Sequence, residues 1–373
     1  MDNNVIVMGA GRMGSAIAWA MNELGWKVSA VDTDNEALHN LTNIVPEFNA
    51  YYANHAEALE KIVRDKAPRV VISSLPYHQN ETVARTCISN GIRYCDLGGR
   101  VDISENINNF ARSKAQKPVM TDLGLAPGWV NILSENGCQS LHRKTDSVRM
   151  MVGGLPTMPM NHPLDYMVTW SVDGLINEYK DDCEVLEDGQ LKVVKGMEGL
   201  EEVLIKSLDK RLEAFYTSGG ASHTIKDMTA RGVKNCSYKT LRYKGHQEIV
   251  KFLIRDSELT DECLSQVFLN GCRAGADKGD VVIVKAEVCG GDVCWDKEIL
   301  VYSGKYKDIE FSAMQKATAF PISSVASLMA EGYFDNREIE HRGYKEKLPV
   351  VLSYKDIPFD KFDQNLKLLG LEI

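Results

Sequence analysis

No long run of Lys or Arg occurs in this sequence, and its formal charge is -9 at pH 7. A protein that follows phosphates along a nucleic acid presents a basic face, so a nucleic-acid partner is not expected. No stretch approaches the ~18 consecutive apolar residues of a membrane span, so no membrane is expected either. The opening residues Met1-Asp2-Asn3-Asn4 contain neither a basic region nor a cleavage site. A secretory signal is therefore not expected, and a cytoplasmic location is. A CxxC pair is also missing. Nine cysteines are scattered from Cys87 to Cys294, an odd count that reads as reduced thiols. Cys289 and Cys294 flank Gly290-Gly291-Asp292 at a hairpin turn. They read as two buried thiols, with a disulfide or half a metal site as alternatives. No His or Cys cluster lies near them, so no metal is expected. Internal repeats and low-complexity segments are absent.

At 373 residues the chain exceeds one ordinary core, which points to two domains. Hydrophobic residues at 44% and charged residues at 25% match the balance of a globular protein. Strand-like runs at 5–8, 27–31, 70–73, 93–96 and 118–121 are separated by amphipathic stretches at 13–24, 57–66, 80–90 and 104–115. That alternation predicts an α/β fold with a Rossmann-type, doubly wound parallel sheet. After residues 122–129 the strands come as hairpins: 185–186 with 191–194 around Asp188-Gly189, and 281–289 with 293–302. A second domain with a mixed α+β sheet is therefore expected. The predicted boundaries are 1–124, 125–310 and 311–373, with the helical 312–331 packing back on the first domain. The last forty residues, including Arg337, Glu338, Glu340, His341 and Arg342, read as a solvated surface tail.

Gly9-Ala10-Gly11-Arg12-Met13-Gly14 ends an apolar strand and opens an apolar helix. Gly9 permits the tight turn, Gly11 lets the backbone approach a pyrophosphate, and Gly14 lets helix and strand pack closely. Phosphates would rest on the N–H groups of the first helical turn, around Arg12 and Met13. Asp32 closes the second strand, where a carboxylate accepts hydrogen bonds from ribose hydroxyls and repels a 2′-phosphate. No Arg or Lys lies nearby, so NAD is expected over NADP. Ser74, Leu75 and Pro76 follow the next buried strand and should line the cofactor, as should Leu123. Asp122 lies where the nicotinamide arrives: it could hold an ammonium or take its proton, or equally cap a helix before Pro127.

Long segments elsewhere resemble the saccharopine dehydrogenase-like family, and within it the lysine ε-dehydrogenase branch. They read DLGLAPG at 122–128, GGLP at 153–156, PLDYMVTWSVDGLINEY at 163–179, LEAFYTSGG at 212–220, KTLRYKGH at 239–246 and SAMQKATAFP at 312–321. The resemblance implies a substrate domain that also forms a homodimer. It implies that Asp122 lies near substrate and nicotinamide, and that Arg242 binds a substrate carboxylate, a task suited to a bidentate guanidinium. Saccharopine-reducing relatives carry a further Arg after the aromatic of AFY; the stretch from Tyr216 to His223 has none here, which points to a smaller substrate. Gly154, Tyr216 and Thr240 join Arg242 as expected substrate contacts, and Tyr166 and Trp170 as apolar walls. His223 is the second expected catalytic residue, with His246 as a lesser candidate. The activity expected is NAD-dependent oxidative deamination of an ε-amino group of lysine or a similar diamino acid. Imine reduction to a secondary amine and a non-catalytic NAD-binding regulator are the alternatives.

Overall fold

The computed structural model describes the chain apart from residues 1, 2, 159, 161, 163, 274–278, 336, 337, 342, 343 and 348, and gives the backbone alone for 338–341 and 344–347. Two compact units result, Met1–Gly128 with Ala317–Ile373, and Trp129–Lys316.

The first unit alternates β1 (Asn4–Met8), α1 (Arg12–Glu23), β2 (Lys27–Asp32), α2 (Asn35–Leu41), β3 (Phe48–Tyr52), α3 (Ala56–Lys66), β4 (Val70–Ser73), α4 (Tyr77–Ser89), β5 (Arg93–Asp96), α5 (Val101–Lys114) and β6 (Val119–Met120). These strands lie parallel in the order β6-β5-β4-β1-β2-β3. Strands covered on both faces need apolar side chains at every position, and Val5, Ile6 and Val7 of β1 and Val70, Val71 and Ile72 of β4 are fully buried. The chain order reverses between β1 and β4, which creates the crevice at their carboxyl ends where such sheets bind ligands. α2 and β3 have no counterpart in the periodicity read from the sequence. β3 is a half-exposed edge strand, so its apolar pattern is weak.

The second unit contains α6 (Trp129–Ser140), β7 (Ser147–Pro156), α7 (Val172–Lys180), β8 (Asp182–Glu187), β9 (Gln190–Lys195), β10 (Glu201–Ile205), β11 (Lys210–Tyr216), α8 (Thr224–Ala230), β12 (Asn235–Arg242), α9 (His246–Arg255), α10 (Asp261–Gly271), β13 (Asp280–Gly290) and β14 (Val293–Tyr302), then the short pair β15 (Gly304–Tyr306) and β16 (Ile309–Phe311). Its main sheet runs β10-β11-β12-β7-β13-β14, with β8 against β12 and β9 against β8. Only the β12–β7 pair is parallel, so the sheet is mixed as expected. Asp188 and Gly189 both have positive φ, the geometry of a two-residue hairpin turn. The β13–β14 register sets Cys289 directly opposite Cys294, and the two form a disulfide. That corrects the reading of two buried thiols; Cys294 is exposed.

Helix α11 (Ala313–Glu331) begins in the second unit and ends in the first. Beyond it come the backbone hairpin β17 (Glu338–His341) and β18 (Tyr344–Lys347), then β19 (Val351–Leu352) and α12 (Phe359–Leu368). Residues 351–373 are no solvated tail. β19 pairs in parallel with β6 as a seventh strand, and Phe362 and Leu366 of α12 are fully buried. Ser324 on α11 donates to Phe362 O, and Trp26 donates to Ser327. Arg337 and Arg342 lie outside the described residues.

Candidate active site

The glycine turn follows directly from β1. Gly9 has φ +91, and its N–H donates to Val31 O at 2.8 Å. A Cβ on Gly14 would sit 1.8 Å from Gly9 O, so no other residue lets α1 approach so closely. A Cβ on Gly11 would meet nothing within 4 Å, and no side chain caps α1. Open space beside an uncapped helix N-terminus is what a pyrophosphate requires. Arg12, exposed, and Met13, half-buried, open the first turn of α1. Asp32 is held from two sides, accepting from Ala10 N at 2.6 Å and Asp34 N at 2.9 Å. Ser74 donates to Met8 O and packs against Gly9 and Gly14, with Leu75 beside it and Pro76 starting α4. Leu123 is buried, and its N–H donates to Asp96 O at 2.9 Å. These residues fit a pyridine dinucleotide.

At the carboxyl ends of β5 and β6 two acids meet. Asp122, with φ +64, accepts at Oδ1 from Ser104 of α5 at 2.7 Å. Its backbone N–H donates to Asp96 Oδ1 at 3.2 Å, and Gly98 N donates to the same oxygen at 2.9 Å. Tyr94 lies 2.9 Å from Asp96 Oδ2. Burial and the neighbouring Asp122 charge push Asp96 up to about 7. The sequence reading passed over Asp96. Its place at the end of a predicted buried strand, before Leu97-Gly98-Gly99, was the available signal.

In the second unit Arg242 ends β12 almost fully buried. Its guanidinium lies 4.7 Å from the Tyr166 ring and 5.8 Å from the Tyr179 ring. Nε donates to Tyr179 Oη at 2.9 Å and Nη1 to Leu241 O at 2.9 Å, while Nη2 makes no hydrogen bond among the described residues. Glu213 stands opposite Arg242 in the ladder, yet it accepts from Gly245 N and Gln247 N at the start of α9. No carboxylate among the described residues pairs with Arg242. Burial opposes its charge, and Tyr179, Tyr166 and Glu178 more than offset that, raising its proton affinity. Glu178 on α7, also missed, is pushed up to about 8 by burial.

Side chains alternate across a strand, which sorts the remaining residues. Thr240 shares the Arg242 face and bonds Thr217 at 2.7 Å. Gly154 lies on the same face by register, where a Cβ would meet Met314 at 2.6 Å. Tyr216 does not join them. It pairs with Lys239 on the opposite face, with the Lys239 ammonium 4.6 Å from its ring and Gly199 beneath it. Trp170 donates to Tyr166, which places both on the aromatic side of Arg242. His223 precedes α8, in a turn that Asn131 ties down through Ala221 O and Thr224 Oγ1. His246 is buried and lowered to about 3 by burial and the Arg242 charge, so it stays neutral and takes no proton near neutral pH. Among the described residues no group of His, Cys, Asp and Glu could hold a metal ion, and no helix is long and apolar enough to cross a membrane.

A glycine turn at the switch point of a parallel sheet, with Asp32 beside it, defines the class: a pyridine-nucleotide-binding protein carrying a second, mixed-sheet unit. The chain belongs to the saccharopine dehydrogenase family. Residues 5–121 match the saccharopine dehydrogenase NADP binding domain, and residues 124–347 the saccharopine dehydrogenase C-terminal domain. It is 27% identical over 216 residues to the saccharopine dehydrogenase [NADP(+), L-glutamate-forming] of Saccharomyces cerevisiae, covering 55% of this chain and 46% of that one. The enzyme of the same name from Schizosaccharomyces pombe is 26% identical over 152 residues, 40% of this chain and 33% of that one. The match to each relative thus spans less than half of the relative's length. The solved apo saccharopine dehydrogenase (L-Glu forming) from Saccharomyces cerevisiae has the same fold, with a TM-score of 0.73 and 17% identity over 97% of this chain and 96% of that chain.

Proposed function

We propose that the protein is an NAD-dependent amine dehydrogenase that oxidises the ε-amino carbon of L-lysine, or of a similar diamino acid, to an imine that water hydrolyses to a semialdehyde and ammonia. The observation that carries this reading is the buried guanidinium of Arg242, with which no carboxylate among the described residues pairs. One Nη2 remains uncommitted there, and no second Arg occurs between Tyr216 and His223. One carboxylate clamp suits one amino-acid carboxylate. Arg242 holds the α-carboxylate, with Thr240 and Gly154 on the same face. Asp122, oriented by Ser104, takes the proton of the ε-ammonium, because an ammonium has no lone pair with which to expel hydride. His223 is the second group proposed to exchange protons with substrate. Bound nicotinamide supplies the hydride acceptor. Gly9, Gly11, Arg12, Met13, Gly14, Ser74, Leu75 and Pro76 hold the dinucleotide, and Asp32 favours NAD, since no Lys or Arg follows it before Lys61.

A second reading, reductive condensation of a semialdehyde with an amino acid, is favoured by the names of the curated relatives. Two assays of the purified protein separate them. Nucleotide reduction with lysine and NAD supports the first reading. Nucleotide oxidation with a semialdehyde plus glutamate, faster with NADPH than with NADH, overturns it.

A further inference from the structure

Asp96, Tyr94 and Asn80 are buried together beneath Asp122. Asp96 Oδ1 is fully engaged by the N–H groups of Asp122 and Gly98. Among the described residues its Oδ2 bonds only Tyr94 Oη, at 2.9 Å, and that phenol also lies 3.3 Å from Asn80 O on α4. A phenol has one proton, so the two contacts cannot both be donations. With Asp96 ionised, Tyr94 donates to Oδ2. With Asp96 protonated on Oδ2, the acid donates to Tyr94 Oη and Tyr94 turns its own O–H to Asn80 O. Both states satisfy every group without moving a heavy atom, and they differ by one proton.

We propose that Asp96 and Asp122 form a coupled carboxyl pair in which Asp96 Oδ2 carries the proton while Asp122 is charged, making Asp96 a positioning residue for acid–base chemistry at Asp122. The proposal rests on the role given above to Asp122. A neutral Asp96 holds the Asp122 backbone through Oδ1 and adds no second negative charge. Losing that proton to solvent places a like charge beside Asp122. The groups facing Asp96 are Tyr94 and Cys95 on its own strand and Asp122 after β6, with Cys87 of α4 acting on Tyr94 and Cys95. Both thiols and the phenol are raised by burial and stay protonated, so among the described residues Asp122 is the charge that acts on Asp96. Burial and that charge together account for an Asp96 that titrates near 7.

Infrared difference spectroscopy of the full chain across pH 5 to 9 tests this through the protonated-carboxyl stretch, with a Glu178→Gln sample to remove the other raised carboxyl. The expected result is a band with a midpoint near 7 that disappears in Asp96→Asn. In Asp122→Asn the midpoint drops by about one pH unit, because the like charge is gone. In Tyr94→Phe it rises, because the ionised acid loses a donor. A wild-type spectrum without such a band, or a midpoint indifferent to Asp122→Asn, overturns the proposal even if Asp96→Asn does not fold. The pH profile of kcat/KM adds a second readout, its limb near 7 being lost in Asp96→Asn. Since the spectra need no substrate, a protein that oxidises no amine yet shows the coupled band sinks the proposed function and leaves the pair standing.

Discussion

Tyr179 donates its phenolic proton to His246 Nε2 across 3.1 Å, and this direction is fixed from both ends. Leu164 O can only accept, so His246 Nδ1, 2.8 Å away, carries the ring proton and Nε2 is the acceptor. Tyr179 Oη is then left to accept from Arg242 Nε. The guanidinium is thus held by a chain of bonds with one polarity, 4.7 Å from the Tyr166 ring.

Arg242→Lys tests the guanidinium while keeping the charge. An ammonium has no planar fork with which to donate two parallel bonds to a carboxylate. KM for the amino acid should rise about 100-fold, with kcat changing far less. Steady-state kinetics with the amine at saturating NAD checks this, and an unchanged KM would remove Arg242 from substrate binding.

Asp122→Asn leaves a side chain that still accepts from Ser104 but takes no proton. General-base loss costs roughly 10²–10⁴ in rate, so kcat should fall by at least about 100-fold. NADH affinity, measured by fluorescence titration, should stay within about twofold. Turnover equal to wild type would place the base elsewhere.

In the proposed function Asp32 favours NAD by its charge. Asp32→Ala combined with Thr33→Arg removes the repulsion and supplies a cation for a 2′-phosphate. The ratio of NADPH to NADH affinity should rise by about 100-fold. Absolute affinity for NADH should fall, because Ala10 N loses the carboxylate that now orients it. Titration with both reduced nucleotides reads the two effects separately.

His246 predicts an acid limb of stability. Its folded-state pKa, about 3, lies below the unfolded value of 6.5, so below that value the unfolded chain binds the proton first. The stability that neutral His246 contributes is complete above pH 6.5 and is lost as pH falls towards 3, at about 1.4 kcal/mol per pH unit. Gln at 246 can donate to Leu164 O and accept from Tyr179 without titrating. Urea unfolding at pH 8.0 and 5.0 should show a loss about 2 kcal/mol smaller in His246→Gln than in wild type. Identical losses would show that His246 is not held neutral.

The sequence by itself determined the parallel sheet and the glycine turn, and it placed Asp32 at the end of the second strand. Those signals are local: Gly9, Gly11 and Gly14 act on one turn, Asp32 ends one strand, and strands buried on both faces spell themselves out as apolar runs. Arg242 could be named from its segment, but its burial and the relay through Tyr179 and His246 could not. Those partners come from α7 and α9, sixty-odd positions before it and only a few after. Register, invisible in the linear order, put Tyr216 on the far face from Thr240 and Arg242, since one step along a strand reverses the side chain. The C-terminal residues looked polar because a two-residue strand and a short amphipathic helix give little periodic signal. Their burial is decided by the open edge of β6 and by the apolar surface of α11. Asp96 is the sharpest case. An acid at a strand end is unremarkable in sequence, and only the fold sets it under Asp122, with Tyr94 between it and a carbonyl, where a proton acquires two places to point.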